Sequence, residues 1–197
     1  AANQDYAGSI SDGRAALDRY RVLKTLAEAG ARQNEADSFD FYADDPENYE
    51  LAAAAGNEAV EFYDADDMAA AQDSADESLL RFNLVIQNGQ MIQTESRAAS
   101  ARESREAAQE AKADVASRAD FDAADSVYNQ AHAALREQNY ADAARLFDES
   151  GGLFETARDN AVVKRRQAEE ALREAEELLL ESDQKAKAAD EVIGGGN

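Results

Sequence analysis

The sequence predicts an all-α protein, an elongated stack of helical hairpins joined by long helices. Three observations carry that expectation. Gly and Pro are sparse, ten and one in 197 residues, while Ala, Glu, Gln, Arg and Leu fill long runs; these are the strong helix formers. Val and Ile are few and show no alternating run long enough for a strand. The chain also repeats itself after 72 residues, as Tyr49 and Phe121 illustrate below.

Taken in order, Ser11-Asp12-Gly13 starts a helix that runs to about Gln33. Its apolar residues Ala16, Tyr20, Leu23, Leu26 and Ala27 recur at helical spacing. Asn34 to Ala43 carries Phe39, Phe41 and Tyr42 among Asp and Ser and reads as a loop with aromatic anchors. The single proline sets the next start. Asp44-Asp45-Pro46-Glu47 offers an acceptor at the N-cap, Pro at the first helical position and an acid in the first turn. Asp64-Ala65-Asp66-Asp67 breaks that helix and caps the next.

From Met68 to about Arg118 the one stop signal is Asn88-Gly89, so this segment is either one continuous helix or one with a kink or short break there. Unbroken, this helix would span about 75 Å at 1.5 Å per residue. Asp120-Phe121 and Gln138-Asn139-Tyr140 read as further turns. The last helix should stop near Ile193, because Gly194-Gly195-Gly196 cannot extend it cheaply. Those glycines either cap the helix or open a linker.

The repeat aligns without a gap. Tyr49 falls on Phe121, Ala52 on Ala124, Asn57 on Asn129 and Ala59 on Ala131. The turn Asp66-Asp67 falls on Gln138-Asn139, Asp76-Glu77-Ser78 on Asp148-Glu149-Ser150, and Phe82 on Phe154. The matched turns and aromatics weigh more than the alanines, which align by chance in any Ala-rich helix. Each copy, about 46–118 and 119–193, reads as a hairpin followed by a longer helix, with the 11–33 helix packing on the first copy. A hairpin of this size cannot bury its apolar face alone, so neighbours must stack on it. The repeat also places Gly151-Gly152 on Leu79-Leu80. We therefore read these glycines as helical, allowing another helix to approach closely.

The second hairpin resembles a tetratricopeptide repeat. Tyr140 to Ser150 follows the pattern of that family's second helix: an aromatic opening, Ala143, then Phe147 and Ser150. Ala131 fits the small position of the first helix, and Ala59, Phe62, Ala71 and Ser78 fit in the first hairpin. The resemblance covers residues 47–82 and 119–154. It departs from the family in lacking a closing proline and in its 72-residue spacing, where the family repeats after about 34. It implies helical hairpin packing and a concave surface that holds a protein or peptide.

From Ala168 the last helix keeps a 4-3 spacing through Leu172, Ala175, Leu179, Ser182, Ala186, Ala189 and Ile193. This is a heptad seam with small residues in it. It either packs against the helix around Ala98 to Val115 or forms an assembly seam, with Leu172, Leu179 and Ile193 as its large members.

Composition excludes much chemistry. Asp and Glu total 42 against 20 Lys and Arg, a formal net charge of −22. A globule of this size exposes roughly 9,000 Å², about one uncompensated negative charge per ~400 Å², so nucleic acid is repelled. No stretch is apolar enough to cross a membrane. Cys is absent and His132 is the single histidine, which argues against thiolate metal sites and a His-dependent triad. Glu61, Asp64, Asp66 and Asp67 lack the spacing of a calcium loop. No cofactor is expected.

The expected function is non-enzymatic: a binding or scaffolding module whose groove between hairpins is lined by Tyr63, Tyr128 and Tyr140 and holds a protein or peptide. One alternative is a structural spacer or homodimer built on the 168–193 seam. A second is an accessory protein for a small ligand or cation. The opening Ala1-Ala2-Asn3-Gln4-Asp5, without an initiator Met, and the missing cysteines suit an exported bacterial protein of the periplasm or envelope. The acid-rich surface equally suits the cytoplasm of a salt-adapted organism.

Overall fold

The structure, a computed structural model, describes the backbone of residues 2–194 and the side chains of residues 8–188. Its regular elements among these are all helical. They are α1 (Ala2–Ser38), α2 (Pro46–Asp64), α3 (Met68–Glu110), α4 (Ala113–Ala116), α5 (Arg118–Arg136) and α6 (Tyr140–Gly194), with a 3-10 turn at Phe41–Ala43. The all-α class expected from the composition is the one observed.

The chain forms two compact units, and the border between them falls at Glu95/Ser96, inside α3. Each unit holds a hairpin together with the helix that precedes it. The reason is that each hairpin needs a third helix to cover it, and the preceding helix supplies it. In the first unit that helix is α1, whose Ala29 packs with Ala52 of α2 and Phe82 of α3. In the second it is the remainder of α3, whose Ala101 packs with Ala131 of α5 and with Ala143 and Phe147 of α6.

The 72-residue relation holds down to backbone detail. α1 ends at Ser38 and α3 at Glu110, and α2 and α5 are both 19 residues long. Among the described residues, four other than glycine adopt positive φ: Asp40 (57°), Lys112 (62°), Asp66 (63°) and Gln138 (59°). They form two pairs 72 residues apart, one at each turn. Left-handed backbone is unfavourable for a side chain that carries a Cβ, so its recurrence at matched positions shows that the two copies share the geometry of their turns.

Small residues set the spacing of the three helices. Ala52, Ala59, Ala71, Ala124, Ala131 and Ala143 are all fully buried. Between them stand Phe82, Phe147 and Phe154, exposed by 2% or less. Burying each contributes about 1.5–3 kcal/mol.

The caps follow the sequence in part. Asp45 caps α2, its Oδ1 accepting from the Asn48 backbone N–H at 3.3 Å, with Pro46 at the first helical position. Its other oxygen accepts from Asn88 of α3 at 2.6 Å, tying the cap to the third helix. In the second unit Asp120 takes over, accepting from Ser117 at 2.6 Å and from Asn160 at 3.0 Å. These three residues stand 72 positions after Asn48, Asp45 and Asn88, so the same triangle is built with its carboxylate at another corner.

Several expectations are corrected. α1 begins at Ala2, so Ser11-Asp12-Gly13 lies within it and does not start it, and it continues through Asn34 to Ser38, where Ala36 extends the inward stripe of Ala29 and is fully buried. Only Phe41 anchors the turn that follows, 3% exposed, while Phe39 and Tyr42 remain outside. α3 passes Gly89 without a break and ends at Glu110, short of Arg118. Asp120-Phe121 is not a turn. The turn comes earlier, at Ala111-Lys112, and Phe121 points inward from the first coil of α5. Gly151-Gly152 is helical as expected, but close approach is not the reason. A β-carbon at Gly151 would meet Ala101 Cα at an ordinary 3.8 Å, and one at Gly152 would meet nothing within 4 Å.

The last helix departs furthest. α6 turns Phe147, Phe154, Ala157 and Ala161 inward, yet every described side chain from 162 to 188 is exposed. That arm is about 40 Å long at 1.5 Å per residue. It does not pack against the helix around Ala98 to Val115. α3 has already ended at Glu110 and α4 closes the unit, so α6 runs past the helices that would cover it. Lys164 Nζ donating to the Ala116 carbonyl at 2.9 Å lies at the edge of the packed region.

Candidate functional site

In the first unit the three helices do not close completely. A cleft of about 270 Å³ lies between Leu26, Ala29, Gly30 and Gln33 of α1, Ala52, Ala53, Gly56 and Asn57 of α2, and Ser78 and Phe82 of α3. Glycine and alanine on two facing helices leave the space. A β-carbon at Gly30 would have no neighbour within 4 Å, and one at Gly56 would stand 3.1 Å from Ser78 Oγ. Buried Ser78 and Phe82 form the floor.

A hydrogen-bonded chain borders the cleft. Gln33 Nε2 donates to Tyr49 Oη at 3.2 Å, and Tyr49 Oη donates to Asp37 Oδ1 at 2.7 Å. The bond to the Asp37 carboxylate is the main cause that holds the Tyr49 hydroxyl above its usual pKa. Tyr49 also meets Phe82 edge to face, with ring centroids 5.5 Å apart. None of the ten lining residues carries a formal charge. On a chain of net charge −22, this uncharged concavity can receive a neutral group without desolvating a carboxylate.

Tyr63, Tyr128 and Tyr140 do not line this cleft. Tyr63 is half-buried near the end of α2. Tyr140 is half-buried at the start of α6. Tyr128 is the centre of an aromatic cluster in the second unit. Its ring lies 4.6 Å from His132, 5.7 Å from Phe147 and 6.1 Å from Phe154, with the Arg105 guanidinium 5.9 Å from its centroid. Arg105 in turn pairs with Asp125 at 2.7 Å. Burial, followed by the nearby Arg136 charge, lowers the His132 pKa below its ordinary value.

Leu172 and Leu179 are 64% and 67% exposed, and Leu178 and Leu180 beside them are 66% and 63% exposed. The arm therefore shows a band of leucine wider than the expected seam. The Ile193 side chain lies outside the described ones. Among the acids weighed for a cation, Asp66 pairs with Arg19 at 2.7 Å, and Asp67 caps α3 by accepting from the Ala70 N–H. Among the described residues no group of three or more metal-ligating side chains comes together. No helix among them is long and apolar enough to cross a membrane.

The tyrosines expected to line a groove stand outside the cleft lining, and Gly56 helps to open the cleft. In the sequence the cleft is marked by the 72-residue register alone, which sets Gly56 against Tyr128. Comparison with protein families, curated proteins and solved structures finds no match for this chain.

Proposed function

We propose that the protein is a non-enzymatic protein-binding module of helical-repeat type, built from tetratricopeptide-like hairpins, and that the first unit holds its partner. The observation that carries this reading is the uncharged cleft between α1, α2 and α3, open on a surface otherwise dense in carboxylates. A peptide library selected on the protein, then tested on a Gly56→Tyr variant that fills the cleft, examines it directly. The reading expects peptides whose binding the variant abolishes while its helical signal and Tm are retained. Selection of no peptide sensitive to that change would refute it.

A second reading is self-association through α6. The four exposed leucines at 172 and 178–180 favour it, because exposed apolar bands of this kind mark association surfaces. Light scattering decides. A dimer that becomes monomeric on Leu172→Lys with Leu179→Lys would put assembly first, and a monomer at all concentrations would remove this reading.

A further inference from the structure

The second unit fills a position that the first unit's cleft leaves open. Gly56 and Tyr128 occupy the same position in the two copies. The floor beneath them is common to both: Ser78 and Phe82 in one, Ser150 and Phe154 in the other, all buried. What differs lies above it. Tyr128 places its ring edge to face against Phe154, and the Arg105–Asp125 pair stands beside it. The first unit has Gln33 and Ala53 where that pair would be, and Ala75 where Phe147 meets the Tyr128 ring. The ring, its neighbour and the ion pair are missing together.

The floor ring is used to match. Phe154 meets Phe121 at 5.3 Å and also Tyr128. Phe82 meets Tyr49, which stands in the place of Phe121, and also lines the cleft. Taking these together, and resting on the reading of the cleft as a binding site, we infer that it takes an aromatic ring: the tyrosine or phenylalanine side chain of a partner polypeptide, seated where Tyr128 seats its own.

Volume and charge agree. A dry cavity of about 150 Å³ holds benzene, and this cleft offers about 270 Å³. Aromatic rings favour edge-to-face packing, as Tyr128 adopts on Phe154, and Phe82 places the matching ring in the cleft lining. Acidic side chains are disfavoured because the lining has no cation and the chain as a whole is strongly negative.

The test uses p-cresol, which is the tyrosine side chain alone, and 4-methylcyclohexanol as a saturated control of similar size. Amide NMR on the full chain should show saturable shifts with p-cresol centred on Gly30, Gly56 and Ser78. The control should bind at least about tenfold more weakly, and Gly56→Tyr should abolish the shifts. If Gly56→Tyr fails to fold, Ala53→Leu at the same cleft should block the shifts instead. Conversely, Tyr128→Gly opens the second unit, and p-cresol should raise the Tm of that variant. Peptides selected on the cleft should carry Tyr or Phe and lose at least about tenfold in affinity when it is changed to Ala. No saturable shift at Gly56 overturns the inference, as do cleft-binding peptides indifferent to loss of their aromatic residue; in the latter case the binding reading itself survives. Cresol binding without any peptide binding overturns both, and leaves a small-molecule site.

Discussion

The Phe41 ring lies against the α3 backbone at Gly89, in the space that a β-carbon would fill. A β-carbon there would stand 2.8 Å from Phe41 Cβ and closer still to the ring. In the second unit the same two positions hold Ala113 and Ala161, both fully buried. One copy divides the volume as large with none, the other as small with small.

This relation predicts a compensated pair. Gly89→Ala gains about 1 kcal/mol of helix propensity, but overpacking typically costs 1–3 kcal/mol, roughly, and the overlap with a buried ring puts it at the upper end. Net destabilisation is expected. Phe41→Ala alone should cost about 3–5 kcal/mol. The double variant, which carries the second unit's residues, should be more stable than the sum of the two changes by about 0.5–3 kcal/mol. Urea unfolding of all four proteins measures this, and strict additivity would contradict the packing described.

The Asp45 cap predicts a response to acid. Burial raises the pKa of this carboxyl, but the side-chain bonds from Asn48 and Asn88, with the Asn48 backbone N–H, more than offset it and hold it below the usual 3.8. A carboxyl whose folded pKa is depressed stabilises above its unfolded value and loses that contribution as pH falls through the folded one. Asp45→Ala should therefore cost about 1 kcal/mol near neutral pH. The gap between variant and parent should close as pH drops below 3.8. A gap that stays constant on acidification would show that the charge is irrelevant to the cap.

His132 predicts a second pH effect, in a different window. Its folded pKa lies below the ordinary 6.5 because of burial and then Arg136. The folded state thus resists a proton that the unfolded chain accepts. Stability should be complete above about pH 6.5 and fall as pH drops from there through the folded pKa. Replacing His132 by Phe should flatten Tm against pH between about 7.5 and 5. An unchanged slope would place the proton uptake elsewhere.

Two helical glycines predict opposite outcomes. Gly152 has nothing within 4 Å of its β-position, so Gly152→Ala should stabilise by roughly 0.5–1 kcal/mol through helix propensity. Gly56→Ala meets Ser78 Oγ at 3.1 Å, so it should gain less than Gly152→Ala, or lose. Thermal melts compare the two variants, and equal gains would mean that Ser78 turns aside freely.

What the amino-acid sequence determined by itself is local. Pro46 behind Asp45 starts a helix because proline's fixed φ and a carboxylate acceptor act within one turn. Asp64–Asp67 and Gln138-Asn139 end helices for reasons equally close along the chain. The 72-residue repeat was legible for the same reason, since matched turns and aromatics need no knowledge of the fold.

The tertiary structure decided whatever depended on a neighbour distant in sequence. Gly89 reads as a helix breaker until Phe41, 48 residues earlier, is seen to need its missing side chain. The α6 seam reads as a packing surface until α3 is found to have ended before reaching it. Gly56 reads as an indifferent residue in an Ala-rich helix, because a cleft is an absence, and an absence is defined only by what three helices leave unfilled between them.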